Sequence, residues 1–205
     1  DAKGYWVSLG KRIIDPAVNG DSLVLSIDPN IQLKIEEEIS SLLRRWSAES
    51  TLGIVLEPAT GRILAMASSP GFDPNAYSRE KDFSVFRIPA VDSQFELGSV
   101  FKPITMAAGI NAGVITASTT YNDPGAVAFA GGEVVSNFDG KSHGLQTMTQ
   151  VLEKSLNTGA IFAMERLGKE RFYDAVKNFG FGRQTGVDLP GELQGSIGNL
   201  AANRD

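Results

Sequence analysis

The chain has 205 residues, of which 42% are hydrophobic and 21% charged, so its composition is that of one ordinary globular domain rather than a disordered segment. The formal net charge of −5 argues against a nucleic-acid partner, which wants a basic face, and the absence of cysteine excludes disulfides and thiolate metal sites. No run of 18 apolar residues and no signal peptide occurs, so no membrane span is read from this stretch.

In chain order, Leu23-Val24-Leu25-Ser26-Ile27 predicts a short buried strand. Asp28 and Asn30 offer caps for a helix through about Glu49, with Ile31, Ile35, Ile39, Leu42 and Leu43 at helical spacing. The Glu36-Glu37-Glu38 and Arg44-Arg45 runs read as its solvated face. Two apolar runs, Gly53 to Leu56 and Ile63 to Ala67, flank Glu57-Pro58-Ala59-Thr60-Gly61 and predict a hairpin. Residues 69–95 carry breakers and predict loop. A helix follows from Gly98 to about Asn111, with Gly113 as its stop. Residues 116–145 predict loops and short strands. Thr147-Met148-Thr149-Gln150 fits a capping box opening a helix to about Lys154. Two more helices cover about Thr158 to Leu167 and Lys169 to Asn178, closed by Gly168 and Gly180, and residues 181–205 predict irregular structure. Helices that flank a hairpin, rather than alternating with single strands, favour a mixed α/β (α+β) layer fold over a doubly wound parallel sheet.

A serine hydroxyl becomes a nucleophile when a base takes its proton, and a lysine can be that base if burial lowers its pKa. Ser-x-x-Lys on a helix puts both side chains one turn apart on one face. Three such spacings occur: Ser8 with Lys11, Ser78 with Lys81, and Ser99 with Lys102. Only Ser99 opens an apolar helix that could bury its lysine. Pro103, directly after that lysine, has no rationale at the level of sequence. Ser155-Leu156-Asn157 falls between two predicted helices, where it reads either as ordinary capping or as a polar loop aimed into a cleft.

Ser-x-x-Lys at Ser99 followed by Ser-x-Asn at Ser155 resembles the penicillin-binding transpeptidases and serine β-lactamases. Further stretches are similar to the monofunctional class B transpeptidases: Leu25-Ser26-Ile27-Asp28 with Gln32, Glu57 through Met66, Phe95 through Pro103, Asp123-Pro124-Gly125, His143-Gly144, Phe179 through Gly182, and Thr185 through Glu192. They span nearly the whole chain in the family's order.

The resemblance implies a β-lactamase/D,D-transpeptidase-like fold, with a central antiparallel sheet and a helical subdomain. It implies that Ser99 attacks a D-Ala-D-Ala amide of a peptidoglycan stem peptide, forming an acyl-enzyme that passes to an amine and that β-lactams also form. Lys102 would be the base. Ser155 would shuttle a proton to the leaving group, and Asn157 would hold the substrate backbone and Lys102. The oxyanion hole would join the backbone N–H of Ser99 to one from a Lys-Thr-Gly strand. No cofactor and no metal is implied. The implied partners are a lipid-linked precursor strand, β-lactams, and glycosyltransferase and other cell-wall synthesis proteins, outside the cytoplasm on a membrane-anchored parent.

No Lys-Thr-Gly or Lys-Ser-Gly occurs in the chain, and Gln184-Thr185-Gly186 lacks the lysine. Residues 1–205 are therefore expected to be a partial transpeptidase domain. Its C-terminal part, an N-terminal dimerisation or pedestal domain and the anchor would lie elsewhere in the parent. Such a fragment is expected to acylate poorly and to leave a sheet edge unpaired. A β-lactamase would need a water-activating base, and the Glu153 to Asn157 run overlaps the Ser-x-Asn, so transpeptidase is favoured over β-lactamase. The rival outside enzymology is a β-lactam sensor or a scaffold. His143, the only histidine, reads as structural, and Asp123, Asp139 and Asp188 as turn formers. Phe179, Phe181 and Trp46 read as core, Trp6 as packing on an absent domain, and Glu96 as a surface residue or one that supports the nucleophile's neighbours.

Overall fold

The computed structural model describes residues 20–202. The expectations placed on Ser8, Lys11 and Trp6 lie outside the described residues. The chain divides into two compact units, Asp1–Pro70 and Gly71–Asp205.

In the first unit, helix α1 (Pro29–Trp46) packs on a hairpin of β1 (Thr51–Leu56) and β2 (Ile63–Ser69). The helix starts where the sequence predicts. Asp28 accepts from the backbone N–H groups of Asn30 and Ile31 at 2.8 and 3.2 Å, and Pro29 takes the first helical position, where no N–H is needed. Ser47, in the left-handed conformation, ends it. The strands are antiparallel, with Ile54 opposite Met66, and Gly61 closes the turn by donating to Glu57 O at 2.8 Å. Among the described residues no further strand joins either edge of this pair.

The strand expected at Leu23–Ile27 does not form. Leu23, Val24 and Leu25 are exposed, and among the described residues the hydrogen bonds from this stretch to β2 are those of Ser26 Oγ, which donates to Ile63 O, and Asp28 N, which donates to Leu64 O. Two isolated bonds do not make a ladder, and apolar residues alone cannot make a strand without one. Trp46, expected in the core, is exposed, with the Arg45 guanidinium 5.7 Å from its ring centroid.

The second unit is mostly helical. A single helical turn, α2 (Pro89–Asp92), and two 3₁₀ turns interrupt the segment expected to be loop. Helix α3 (Lys102–Asn111) then leads to β3 (Thr120–Asp123), β4 (Ala126–Ala128), β5 (Val134–Ser136) and β6 (Gly144–Thr147). These pair antiparallel as β3 with β6 and β4 with β5. Helices α4 (Met148–Glu153), α5 (Asn157–Leu167) and α6 (Lys169–Asn178) follow, and a short α7 (Gly198–Ala202) stands where irregular chain was expected. The capping box at α4 is complete: Gln150 N donates to Thr147 Oγ1 at 3.2 Å, and Thr147 N donates to Gln150 Oε1 at 2.9 Å.

The core of this unit joins Met106 of α3, Ile115, Tyr121 of β3, Met148 and Val151 of α4, Leu156, and Ala163 of α5. Helix α5 crosses α4 closely because residue 159 is glycine. A β-carbon there would sit 2.3 Å from Val151 Cγ2 and 2.9 Å from the Tyr121 hydroxyl. Of the two phenylalanines expected in the core, Phe181 is half-buried against Phe101, at 5.3 Å between centroids, and Phe179 is exposed.

Candidate active site

Ser99 lies in a 3₁₀ turn, Gly98–Phe101, that runs directly into α3. Gly98 opens the turn at φ +57°, a left-handed conformation that a residue with a β-carbon adopts only at a cost. Because the α-helix proper begins at Lys102, Pro103 falls in its first turn, where the missing N–H has no partner to lose. That removes the difficulty the proline poses in the sequence. Phe101 anchors the turn by packing on Phe172 and Phe181, at 6.2 and 5.3 Å between centroids.

Ser99, Lys102 and Ser155 form a closed triangle. Lys102 Nζ donates to Ser99 Oγ at 3.1 Å and to Ser155 Oγ at 2.9 Å, and Ser155 Oγ donates to Ser99 Oγ at 3.0 Å. A third N–H of Lys102 goes to the backbone carbonyl of Ser155 at 2.6 Å. The lysine is 8% exposed, and burial away from water pulls its pKa below the usual lysine value. Ser99 itself is exposed, so the site is dry on the amine's side and open on the hydroxyl's.

The position of Ser155 follows from how α4 ends. Leu156 N donates to Val151 O at 2.9 Å and Ser155 N to Leu152 O at 3.2 Å, the paired bonds of a Schellman closure. That closure puts Ser155 in the left-handed region, at φ +55°, where glycine is the usual residue. A serine there gives up backbone comfort and places a hydroxyl beside Lys102.

Asn157 opens α5. Its amide Nδ2 donates to Ser136 O at 2.7 Å and its backbone N–H to Asn137 Oδ1 at 3.0 Å. The expected contact with Lys102 is not made. The amine's three N–H groups go to Ser99 and twice to Ser155, which leaves none for Asn157.

Beneath this loop lies a buried polar network that the sequence reading missed. Asp123 forms the expected turn, accepting from Gly125 N at 2.9 Å. It is also 1% exposed and accepts from Thr158 Oγ1 at 2.6 Å, Asn137 Nδ2 at 2.9 Å and His143 N at 3.0 Å. Burial pushes its carboxyl pKa up, but the donors from Thr158, Gly125, Asn137 and His143 outweigh it and leave the pKa below the usual aspartate value. His143 Nε2 lies 3.1 Å from Asp139 Oδ2, a structural pairing.

Of the other motifs among the described residues, neither the Ser78 spacing nor Gln184-Thr185-Gly186 joins the triangle. Ser78 sits in a 3₁₀ turn, Tyr77–Arg79, at the surface-rich start of the second unit. Gln184-Thr185-Gly186 wraps Glu192: Thr185 N and Oγ1 each donate to Glu192 Oε1 at 2.6 Å. Among the described residues no group of three or more His, Asp or Glu side chains could hold a metal, and no helix is long and apolar enough to cross a membrane.

Residues 51–203 match the family described as the penicillin binding protein transpeptidase domain. The chain is 35% identical over 183 residues to penicillin-binding protein PbpB of Mycobacterium tuberculosis, covering 88% of this chain and 26% of that protein. It is 30% identical over 203 residues to peptidoglycan D,D-transpeptidase MrdA of Acinetobacter baumannii, covering 93% of this chain and 29% of that protein. Its fold superposes on penicillin binding protein 3 from M. tuberculosis complexed with aztreonam with a TM-score of 0.79, at 35% identity, over 89% of this chain and 41% of that one. The chain thus spans less than a third of the length of these curated relatives.

Proposed function

Since the chain belongs to the penicillin-binding protein transpeptidase family, we propose that it carries the nucleophilic half of a serine D,D-transpeptidase site acting on peptidoglycan stem peptides. The observation that carries this is the triangle of Ser99 Oγ, Lys102 Nζ and Ser155 Oγ, with sides of 3.1, 2.9 and 3.0 Å.

The triangle can run acyl transfer without a histidine. In its neutral form the Lys102 amine keeps two N–H bonds, to Ser155 O and Ser155 Oγ, and turns its lone pair to Ser99. The Ser99 proton passes to Nζ as Oγ attacks the carbonyl carbon of the D-Ala-D-Ala amide. When the C–N bond breaks, Ser155 gives its proton to the leaving amine of the terminal D-Ala and is reprotonated by Lys102. The acyl group, now an ester on Ser99, passes to an acceptor amine, whose proton travels the reverse path. A β-lactam amide would meet the same nucleophile and stall as the ester. Asn157, two residues after Ser155, would hold the substrate backbone through the amide oxygen that its bond to Ser136 O leaves free.

The relative MrdA is named a peptidoglycan D,D-transpeptidase, and the relative from M. tuberculosis binds aztreonam, which supports both the substrate and inhibitor classes. In the whole protein this domain would work outside the cytoplasm on a membrane-anchored parent, alongside glycosyltransferase and other wall-synthesis proteins.

The test is intact-mass analysis of the full-length protein with a fluorescent penicillin. A covalent adduct in wild type that is lost in Ser99→Ala is expected. An adduct that survives Ser99→Ala, or none in wild type, overturns the reading. Cross-linking of lipid-linked precursor then separates a transpeptidase from a sensor that acylates without turning over.

A further inference from the structure

We propose that Asn137 is a positioning residue for the acyl-transfer site: its buried side chain caps α5 from a distant loop and so holds Ser155 against Lys102. The inference rests on the function proposed above for Ser99, Lys102 and Ser155.

A helix N-terminus presents backbone N–H groups with no partner inside the helix, and the residue before the first turn usually supplies an oxygen to them. In α5 that residue is Leu156, which has no side-chain acceptor. The oxygen comes instead from Asn137, some twenty residues upstream. Its Oδ1 accepts from Asn157 N at 3.0 Å and from Thr158 N at 3.3 Å, while the Thr158 hydroxyl, also 3.3 Å away, gives its proton to Asp123 at 2.6 Å.

The other end of the amide is fixed as firmly. Asn137 Nδ2 donates to both carboxylate oxygens of Asp123, at 3.1 and 2.9 Å, and to Lys141 O at 3.1 Å. Asn137 is 4% exposed, so none of these bonds competes freely with water. The neighbouring Ser136 carbonyl adds the bond from Asn157 Nδ2 at 2.7 Å.

Ser155 is therefore held from both sides. The Schellman bonds of Ser155 and Leu156 tie it back to α4, and Asn137 ties residues 157 and 158 down. Its left-handed backbone is a conformation that serine leaves readily unless its surroundings impose it. Without the clamp on α5, the Ser155 carbonyl and hydroxyl would both drift from Lys102 Nζ. Asn137 makes no hydrogen bond to Ser99, Lys102 or Ser155, so it acts through the backbone of the loop that carries Ser155 and Asn157.

The test compares three variants of the full-length protein, each acylated by a fluorescent penicillin well below its Tm. Asn137→Ala removes both ends of the clamp. Asn137→Asp keeps an oxygen for the α5 N–H groups but sets a second carboxylate against Asp123. Val176→Ala, at a buried position of α6 that takes no part in the Asn137 hydrogen bonds, reports what destabilisation alone does. The saturating acylation rate of Asn137→Ala is expected to fall by about tenfold or more, with the affinity for penicillin before bond formation changed by less than about threefold. Asn137→Asp should recover most of that rate despite its own loss of stability, and Val176→Ala should keep the wild-type rate. Amide exchange at Asn157 and Thr158 should quicken in Asn137→Ala more than in Asn137→Asp. An Asn137→Ala rate equal to that of Val176→Ala, or an Asn137→Asp rate as low as that of Asn137→Ala, overturns the proposal. If wild type forms no adduct, the functional reading fails, and the exchange data still decide whether Asn137 caps α5.

Discussion

The backbone carbonyl of Ser155 accepts from Lys102 Nζ at 2.6 Å while the hydroxyl of the same serine accepts at 2.9 Å. One residue thus fixes two of the amine's three directions, and the third is left for Ser99. A lysine side chain has about 2 kcal/mol of rotamer freedom to lose, and a double anchor on one residue removes much of it before substrate arrives. Both anchors require Ser155 to keep φ at +55°.

That requirement separates stability from chemistry at position 155. Ser155→Gly relieves the left-handed strain, whereas Ser155→Ala keeps it, so the glycine variant should be the more stable of the two by about 1 kcal/mol in urea unfolding. Both lose the hydroxyl that relays the proton, and both should acylate about 100-fold more slowly or worse, the usual scale for a lost acid–base group. A glycine variant that acylates like wild type would remove Ser155 from the chemistry.

Lys102 sets the pH dependence. Burial lowers its pKa below the usual 10.5, and only the neutral amine can accept the Ser99 proton. The acylation rate should therefore rise with pH through one ionisation lying below 10.5 and fall in acid, where the amine holds its proton. Lys102→Arg keeps the positive charge but cannot give it up, so its rate should be lower by about 10²–10⁴-fold and lose that ionisation. Rates measured across the pH range in which both proteins stay folded make the comparison. A rate profile in Lys102→Arg that keeps the wild-type inflection would assign the ionisation to another group.

What could be read in the residues beforehand was local. The spacing of Ser99 and Lys102, the Thr147–Gln150 capping box and the glycine stops at 113, 168 and 180 each depend on neighbours within a helical turn or two. The difficulties were not local. Leu23–Ile27 has the composition of a strand but lacks the ladder that would make it one. Asn137 sits in Ser-Asn-Phe-Asp-Gly, which reads as a turn, and its part in the site arises only when residue 157 folds onto it. The sequence hides the need for it, because Asn157 before a helix read from about Thr158 looks like an ordinary cap; only the start of α5 at Asn157 puts Leu156, which has no side-chain oxygen, at the cap position.

Gly159 tests how tightly α5 must lie on α4. A methyl group there would overlap Val151 Cγ2 at 2.3 Å and Cγ1 at 2.7 Å, and Val151 is fully buried with no room to retreat. Gly159→Ala gains intrinsic helix propensity, so on an exposed helix it would stabilise. Overpacking here should win and cost about 1–3 kcal/mol, read as a lower urea midpoint at unchanged slope. An unchanged or raised midpoint would mean that the two helices can separate without loss.

Asp123 predicts how the domain fails in acid. Its carboxyl is held below the ordinary value of 3.8 because the donors of Thr158, Gly125, Asn137 and His143 together outweigh the opposing effect of burial. A depressed folded-state pKa means the unfolded chain binds the proton more readily, so the stabilisation is complete above 3.8 and is lost as pH falls through the lower folded value. Urea unfolding at pH 7, 4 and 3 should show wild-type stability declining across the last step. In Asp123→Asn the decline should be shallower, although Asp139 and Glu192, also held low, keep it from vanishing. At pH 7 the same variant should be less stable, because an amide at position 123 turns one donor toward the Gly125 or His143 N–H that the carboxylate satisfies. Equal slopes in the two proteins between pH 4 and 3 (roughly the foot of the carboxylate range) would show that Asp123 does not titrate with unfolding, and that its network draws nothing from the charge.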